Sequence, residues 1–213
     1  MINICPACGL YCADQIVDPG DPADPAGSAV ICPECGERRP FVRLPLLVIT
    51  GASGAGKSTV CNRLVSRVRD AVILDSDILW RPEFIKPEEG YHTYFDLWLR
   101  VCKSINQSGR PVVLFGAGIG VPANLEGCAE RRYFSTIAYL ALVCSDDALA
   151  ERLQARPAWR AAGSDAYIAE HQQFNRWFRE YGDRQPPITR LDTTGVDAET
   201  TTRQVAAWIA ATI

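Results

Sequence analysis

The sequence predicts an α/β protein whose parallel sheet is covered by helices on both faces, preceded by a small cysteine-rich unit. Short apolar runs alternate with longer amphipathic stretches from Leu44 onward, and a glycine-rich loop follows the first of these runs. Two Cys-x-x-Cys pairs lie before residue 36. Strands that are buried on both faces read as continuous Val/Ile/Leu runs, as these do. A length of 213 residues suits one ordinary domain with an appendage.

The first unit contains the two cysteine pairs, which sit in near-identical Cys-Pro-x-Cys-Gly hooks. Four thiolates at this spacing can close a tetrahedral zinc shell, and the expected ligands are Cys5, Cys8, Cys32 and Cys35. A closed shell predicts a structural zinc ribbon over residues 1–43, with cysteines that merely pack as the alternative. Cys12 fits the spacing less well and is interpreted as a spare thiol. A loop rich in Pro, Gly and Asp is expected at residues 18–27, between the hooks.

The charges are distributed unevenly along the chain. Six acidic and three basic side chains in residues 1–43 account for the whole net charge of −3. Nucleic-acid binding needs a basic face, so we expect no nucleic-acid partner, and the acidic ribbon favours a protein contact or a lid. No apolar run reaches the ~18 residues of a membrane helix, and no secretory signal is visible at the start. A reducing, cytoplasmic location is therefore expected.

The second unit, residues 44–213, follows a regular order of predicted elements. Strands are expected at residues 46–50, 71–74, 111–115, 137–143 and 188–191, each a short run of mainly apolar residues. Helices are expected at 57–68, 92–107, 146–154, 165–181 and 198–211, where apolar residues recur at helical spacing or follow a strand. Together these elements predict a three-layer fold with a parallel five-stranded sheet.

The loop after the first of these strands matches G-x4-G-K-[ST] in full and opens a helix, which is the context of a P-loop. Its backbone amides and helix N-terminus favour phosphate binding. Lys57 is expected to reach the β- and γ-phosphates of a nucleotide, and Ser58 to bind Mg²⁺. The predicted nucleotide-binding residues are Gly51, Ala52, Ser53, Gly54, Ala55, Gly56, Lys57, Ser58 and Thr59.

Two aspartates end the second strand, at the carboxyl edge where α/β sheets bind ligands. Asp75 and Asp77 would point to the same side if the strand persisted through them. One carboxylate could then bind Mg²⁺ while the other, more plausibly Asp77, accepts a hydroxyl proton. An aspartate pair that caps a helix is the alternative.

These motifs resemble the small P-loop kinases, among them shikimate, gluconate and adenylate kinases and chloramphenicol phosphotransferase. The resemblance implies ATP and Mg²⁺ as cofactors and Asp75 and Asp77 as catalytic residues. It also implies an acceptor loop at 116–120, with Gly116 and Gly118 beside the substrate. The resemblance covers residues 44–213 and is specific for the kinases rather than for one acceptor.

The resemblance extends to two later segments. Arg152 and Arg156 share a helix face after the fourth strand, where these kinases carry lid arginines that grip the transferring phosphate. A solvated helix end is the alternative. Thr194, after the last strand, occupies the place of the loop that flanks adenine. The aromatic clusters at 91–95 and 175–179 are interpreted as core faces of helices, with stacking on a planar acceptor as the alternative.

The function predicted from the sequence is an ATP- and Mg²⁺-dependent kinase of a small hydroxylated molecule, with nucleosides included as acceptors. The rival is a P-loop ATPase or switch that binds nucleic acid or a protein through the ribbon. Such a protein would favour a carboxylate after the third strand, where this chain has Gly116. The sequence leaves the oligomeric state open, a homo-oligomer included.

Overall fold

The computed structural model describes residues 3–12, 14–21 and 27–213, which form two β-sheets and six α-helices. The expected loop at 18–27 lies partly outside these residues, because 22–26 are not described. The strands are β1 Ile16–Asp18, β2 Ala29–Ile31, β3 Arg38–Pro40, β4 Leu46–Thr50, β5 Val72–Asp75, β6 Val112–Phe115, β7 Ile137–Val143 and β8 Ile188–Asp192. The helices are α1 Lys57–Leu64, α2 His92–Asn106, α3 Pro122–Glu126, α4 Asp146–Gln154, α5 Asp165–Arg179 and α6 Ala198–Thr212.

The larger sheet confirms the predicted fold class. Its five strands are all parallel and run in the order β5-β6-β4-β7-β8. The central strand β4 is buried along its whole length, which explains its continuous apolar sequence. The order also brings the carboxyl ends of β4, β5 and β6 together at one edge of the sheet.

The two faces of this sheet carry separate apolar cores, because side chains of a strand alternate between faces. Leu46 and Val48 of β4 pack in a core that includes the buried side of α2. Leu47 and Ile49 face the other way, into a core formed with α1 and α6. Helices therefore cover both faces, as the sequence predicts.

The predicted element bounds differ from the structure mainly at the ends. Helix α1 stops at Leu64 rather than at residue 68, because the amides of Arg67 and Val68 both bond back to the Leu64 carbonyl and close the helix. Helix α3 and the three-residue strands β1–β3 are not predicted, since such short elements show no measurable periodicity. None of the helices in the described ranges is both long and apolar enough to cross a membrane.

The smaller, antiparallel sheet β1-β2-β3 packs against the amino edge of the parallel sheet. The backbone N–H of Gln15 donates to the hydroxyl of Tyr133 at 2.9 Å, shortly before β7 begins. The backbone N–H of Val42 donates to the side-chain oxygen of Gln107 at 3.1 Å, shortly before β6 begins. The ring of Phe41 also meets Tyr133 edge-on at 5.6 Å. These contacts place the N-terminal unit at the edge opposite the P-loop.

A buried ion pair lies beneath this junction. Nζ of Lys103 is 2.5 Å from a carboxylate oxygen of Glu130, and the two side chains are 0% and 5% exposed. The same Nζ lies 3.9 Å from the centre of the Tyr133 ring. Burial lowers the pKa of Lys103, and Glu130 opposes that shift. Arg100 also pairs with Glu130, at 3.1 Å, so removing Glu130 would weaken two ion pairs at this junction.

Gly120 allows the loop after β6 to lie directly on β4. A Cβ added to Gly120 would fall 2.0 Å from Cβ of Thr50, far inside van der Waals contact. We expect Gly120→Ala to lower the free energy of unfolding by at least about 1–3 kcal/mol, the usual cost of overpacking. Urea unfolding followed by circular dichroism measures this loss.

Gly127→Ala is the matched control, because its Cβ would come no closer than 3.5 Å to the carbonyl oxygen of Ala123. The packing interpretation would be contradicted if the two variants unfolded at the same urea concentration.

Candidate active site

A cavity of about 1010 Å³ opens at the carboxyl edge of the parallel sheet. The P-loop forms one wall, and the turn after β5 and the loop after β6 form another. The segment after α4 contributes arginines. The first three of these segments directly follow parallel strands, which explains why residues far apart in sequence meet here.

The P-loop is shaped by backbone that only glycine adopts readily. Gly51 has φ of +140°, and a Cβ there would fall 2.3 Å from the carbonyl oxygen of Leu142. Gly56 has φ of +106° and begins α1 without a side-chain cap. The first amides of α1 are therefore available to a phosphate, and the helix dipole favours the same charge.

Lys57 folds back over this loop. Its Nζ donates to the carbonyl oxygens of Gly51 at 2.7 Å and Ala52 at 3.0 Å. Burial lowers the pKa of Lys57 to about 8, which the nearby carboxylates of Asp77 and Asp75 partly oppose. The group remains mostly cationic at neutral pH and is positioned over the phosphate-binding backbone.

The aspartate pair lies on a turn rather than on a strand. Strand β5 ends at Asp75, and a 3₁₀ turn, Ser76–Leu79, continues the chain. A carboxylate oxygen of Asp75 accepts from the backbone N–H of Asp77 at 3.0 Å, so Asp75 also caps the turn. Both residues line the cavity. The expected period-two alignment is thus replaced by a tight turn that still presents both carboxylates.

The surroundings of Asp77 shift its pKa. Burial raises the pKa of Asp77, the charge of Asp75 raises it further, and Lys57 and Arg160 oppose the shift. A carboxylate with a raised pKa is the stronger base, which suits a group that accepts a hydroxyl proton.

The oxygen atoms near the P-loop fit a magnesium ion by their chemistry. Ser58 and Asp75 both line the cavity, and Mg²⁺ prefers hydroxyl, carboxylate and phosphate oxygens. No softer ligand, His or Cys, is among the lining residues. The donor set of the described cavity is therefore that of a hard cation.

The glycine loop after β6 forms the floor of the cavity. Gly116 and Gly118 line it with Ala117 and Ile119. The loop is fixed to β4, because the hydroxyl of Thr50 donates to the carbonyl of Ala117 at 2.8 Å. Gly116 and Gly118, which the sequence predicts beside the substrate, therefore both line the cavity.

The two lid arginines lie in different surroundings. Arg152 donates to the Thr193 carbonyl at 2.7 Å and to its hydroxyl at 3.0 Å, and it also approaches the Gly54 carbonyl at 3.4 Å. It joins the P-loop to the loop after β8. Arg156 lines the cavity and its charge contributes to the lowered pKa of Lys57. Both arginines line the cavity, but only Arg152 is held by hydrogen bonds to described residues.

Not every expected nucleotide-binding residue reaches the cavity. Ser53 through Thr59 line it, whereas Gly51 and Ala52 are buried behind them. Thr193 lines the cavity and Thr194 does not; the Thr194 hydroxyl instead accepts from the backbone N–H of Ser145 at 2.8 Å. The loop after β8 thus contributes through the residue before the expected one.

Several lining residues were not expected from the sequence. Arg160 lies four residues after Arg156, with Pro157 between them. The chain is not a continuous helix there, so helical spacing does not predict that both arginines line the cavity. Tyr167 of α5 donates its hydroxyl to Ser53 at 3.2 Å. Trp80 and Tyr91 also line the cavity, although the aromatic cluster around Tyr91 was interpreted as core. The sequence signal that could have indicated Trp80 as a lining residue is its position three residues after Asp77.

The four cysteines of the hooks come together in the N-terminal unit. Their sulfurs all lie within 4.8 Å of one another, with 3.6 Å between those of Cys5 and Cys35 and 3.7 Å between those of Cys8 and Cys32. A tetrahedral shell with Zn–S bonds of about 2.3 Å puts sulfurs about 3.8 Å apart. The cluster therefore fits a zinc ion. Cys12 lies outside it, and its thiol donates to the Asp14 carbonyl at 3.1 Å.

The comparisons with known proteins agree with this architecture. A family model described as an AAA domain matches residues 46–181. The chain belongs to this P-loop family. A search of curated proteins gave no significant match.

Solved structures show the same fold. A sugar kinase from Janibacter sp. superposes with a TM-score of 0.58 at 12% identity, over 79% of this chain and 95% of that one. A tunicamycin resistance protein from Deinococcus radiodurans gives 0.57 at 18% identity, over 78% and 96%. A gluconokinase from Sinorhizobium meliloti gives 0.55 at 19% identity, over 79% and 93%. The fold of this family member is that of small P-loop kinases.

The cysteine cluster makes a stoichiometric prediction. We expect the purified protein to hold one zinc per chain by elemental analysis, and Cys35→Ser to hold far less, because three thiolates leave the shell open. Cys12→Ser is the matched control and should keep the zinc. Equal zinc content in the two variants would contradict the assignment.

Proposed function

We propose that the protein is an ATP- and Mg²⁺-dependent phosphotransferase that phosphorylates a hydroxyl of a small molecule. The observation that carries the proposal is the placement of Asp77, a carboxylate with a raised pKa, in the same cavity as the P-loop and Lys57. The folds of the sugar kinase and the gluconokinase support it. Nucleosides are among the acceptors that the proposal includes.

In the proposed reaction Asp77 accepts the proton of the acceptor hydroxyl. The hydroxyl oxygen forms a bond to the γ-phosphorus of ATP while the bond from that phosphorus to the bridging oxygen breaks, and ADP leaves. The products are a phosphate monoester and ADP, and the proton resides on Asp77 until it passes to solvent. Positioning of the two substrates supplies much of the rate enhancement, as in phosphoryl transfer generally.

Cationic groups stabilise the transferring phosphoryl group in this proposal. Lys57 and Arg156 act from the P-loop side, and Arg160 acts from the segment beyond α4. Mg²⁺ held by Ser58 and Asp75 would neutralise charge on the β- and γ-phosphates. Arg152 has a positioning role, because its hydrogen bonds to Thr193 and Gly54 fix the nucleotide end of the cavity.

We also propose that residues 1–43 are a structural zinc ribbon and residues 44–213 the catalytic domain. The ribbon contacts that involve Gln15, Phe41 and Val42 are made at the amino edge of the sheet. No residue before Ser53 lines the described cavity. These contacts support a scaffold role for the zinc rather than a lid over the substrates.

The rival ATPase or switch finds less support in the structure. Strand β6 ends at Phe115 and is followed by Gly116, which leaves no carboxylate at that strand end to polarise water. The cavity instead presents its carboxylates after the edge strand β5, where an acceptor has room. The two functions therefore differ in whether ADP formation from ATP requires an acceptor.

Acceptor dependence tests the proposal directly. With Mg·ATP and a panel of sugars, nucleosides and antibiotics, we expect ADP formation to require one class of acceptor. Hydrolysis of ATP at the same rate with and without every acceptor, or its stimulation by an oligonucleotide, would contradict the proposal.

The two aspartates are expected to differ in kinetic effect. Asp77→Asn removes the base and should lower kcat by about 10²–10⁴-fold with little change in the KM for ATP. Asp75→Asn should mainly raise the Mg²⁺ concentration needed for half-maximal rate. The exposed Asp70→Asn is the control. Equal kcat in the Asp70 and Asp77 variants would refute the assignment of the base.

The pH dependence has a definite sign. Because burial and Asp75 raise the pKa of Asp77, its carboxylate is protonated, and inactive as a base, up to a higher pH than an ordinary aspartate. We expect kcat/KM for the acceptor to fall on acidification with an inflection above the ordinary value of about 3.9. Asp77→Asn should remove this limb, and a limb that persisted in that variant would belong to another group.

A further inference from the structure

The side of the cavity that holds Asp77 is built from aromatic rings. Trp80, Tyr91, Tyr94 and Phe95 all line the cavity there. The Trp80 ring stacks on Tyr91 with centroids 5.8 Å apart and 25° between planes. It meets Tyr94 edge-on at 5.4 Å and 89°. These four residues are called the aromatic wall.

The aromatic wall is tied to the aspartate turn. The hydroxyl of Tyr94 donates to the carbonyl oxygen of Ser76 at 2.8 Å, between the two aspartates. The backbone N–H of Trp80 donates to the carbonyl oxygen of Asp77 at 3.0 Å. In a 3₁₀ turn, residues three apart lie on the same face, about 6 Å apart along the axis. Asp77 and Trp80 are therefore neighbours on one face of this turn, and both line the cavity.

Two features of the wall go beyond the needs of a core. Trp80 is 51% exposed, an unusual amount for a tryptophan that is held by two other rings. Tyr91 has φ of +63°, a left-handed conformation that costs a non-glycine residue about 1–3 kcal/mol. Such strain is concentrated at ligand sites, and here it places a second ring behind Trp80.

Charges of both signs reach this side of the cavity. The acidic groups are Asp75 and Asp77, and the cations Lys57 and Arg160 are close enough to oppose the raised pKa of Asp77. The charges alone therefore do not select an acceptor, whereas the flat rings of the aromatic wall favour one with a planar face.

We propose that the acceptor is a molecule with a planar unsaturated ring, which stacks on Trp80 and carries its hydroxyl on a short arm toward Asp77. This inference rests on the proposed function and narrows its acceptor class. Saturated sugars and sugar acids lack this flat face.

A matched acceptor series tests the inference. Uridine and adenosine carry a planar unsaturated ring, whereas ribose and gluconate lack one. With fixed Mg·ATP, we expect transfer to a ring-bearing acceptor with a KM at least tenfold below those of ribose and gluconate. Preferred phosphorylation of ribose or gluconate would overturn the inference and leave the proposed function standing.

Substitutions on the aspartate turn provide the second arm. Trp80→Ala should raise the KM for the ring-bearing acceptor by about tenfold or more, because stacking on an aromatic side chain contributes about 1–3 kcal/mol per base. The KM for ATP should stay within twofold, which also shows that the variant folds. Trp80→Phe should recover most of the affinity.

Ile78→Ala is the control for this turn. Ile78 is 62% exposed and does not line the described cavity, so its loss should leave the acceptor KM unchanged. Equal acceptor KM in the Trp80→Ala and Ile78→Ala variants would overturn the inference.

Equilibrium dialysis with labelled uridine and adenosine separates this inference from the proposed function. Binding that Trp80→Ala weakens, without any transfer, would support the aromatic wall and contradict the kinase. The absence of both binding and transfer for ring-bearing acceptors would overturn the inference.

Discussion

The parallel pairing of β4 with β6 on one side and β7 on the other is the constraint on which the rest of the structure depends. It aligns the carboxyl ends of these strands, so that Gly51, Gly116 and Cys144 begin the loops at one edge. Edge strand β5 adds the aspartate turn at the same level. The P-loop, the aspartate turn and the loop after β6 therefore meet at one level of the sheet, where Gly116 also lies directly against Ser76.

Some groups of the cavity are held by hydrogen bonds, whereas other side chains that line it are not. Thr50 anchors the Ala117 carbonyl, and Arg152 joins the P-loop to Thr193, so the frame is held by hydrogen bonds. The side chains of Arg156 and Arg160, by contrast, make no hydrogen bond to any described residue, although both face the cavity. Side chains of this kind can follow the phosphoryl group as charge moves during transfer. The cluster of four cysteines belongs to the N-terminal unit, none of whose described residues lines this cavity.

The sequence predicts the larger sheet well because each buried strand is recognisable as a short, mainly apolar run. Continuous apolar runs, a complete P-loop motif and helical periodicity all indicate the same arrangement. The Cys-Pro-x-Cys-Gly hooks likewise predict a cluster that the structure forms. The short strands β1–β3 are not predicted, because three residues are too few to show a hydrophobic periodicity. Their pairing also depends on the hooks that lie between and beside them.

The site is harder to predict where tertiary contacts determine which side chains face the cavity. Asp75 and Asp77 are found from their place after a strand, but the turn that presents them is capped by a hydrogen bond from the backbone N–H of Asp77 to the carboxylate of Asp75. Trp80 and Tyr91 have the composition of a core and become a cavity wall only because the chain turns at Tyr91. Arg152 and Arg156 share a helix face in sequence, yet Thr193 engages the first and not the second.

The most direct measurement is the fate of the γ-phosphate, followed by ³¹P nuclear magnetic resonance with Mg·ATP and a neutral, ring-bearing alcohol such as a nucleoside. The account predicts a phosphate monoester signal that grows as the γ-phosphate signal declines, with little inorganic phosphate. Inorganic phosphate as the main product, at a rate indifferent to the alcohol, would contradict phosphoryl transfer at this cavity.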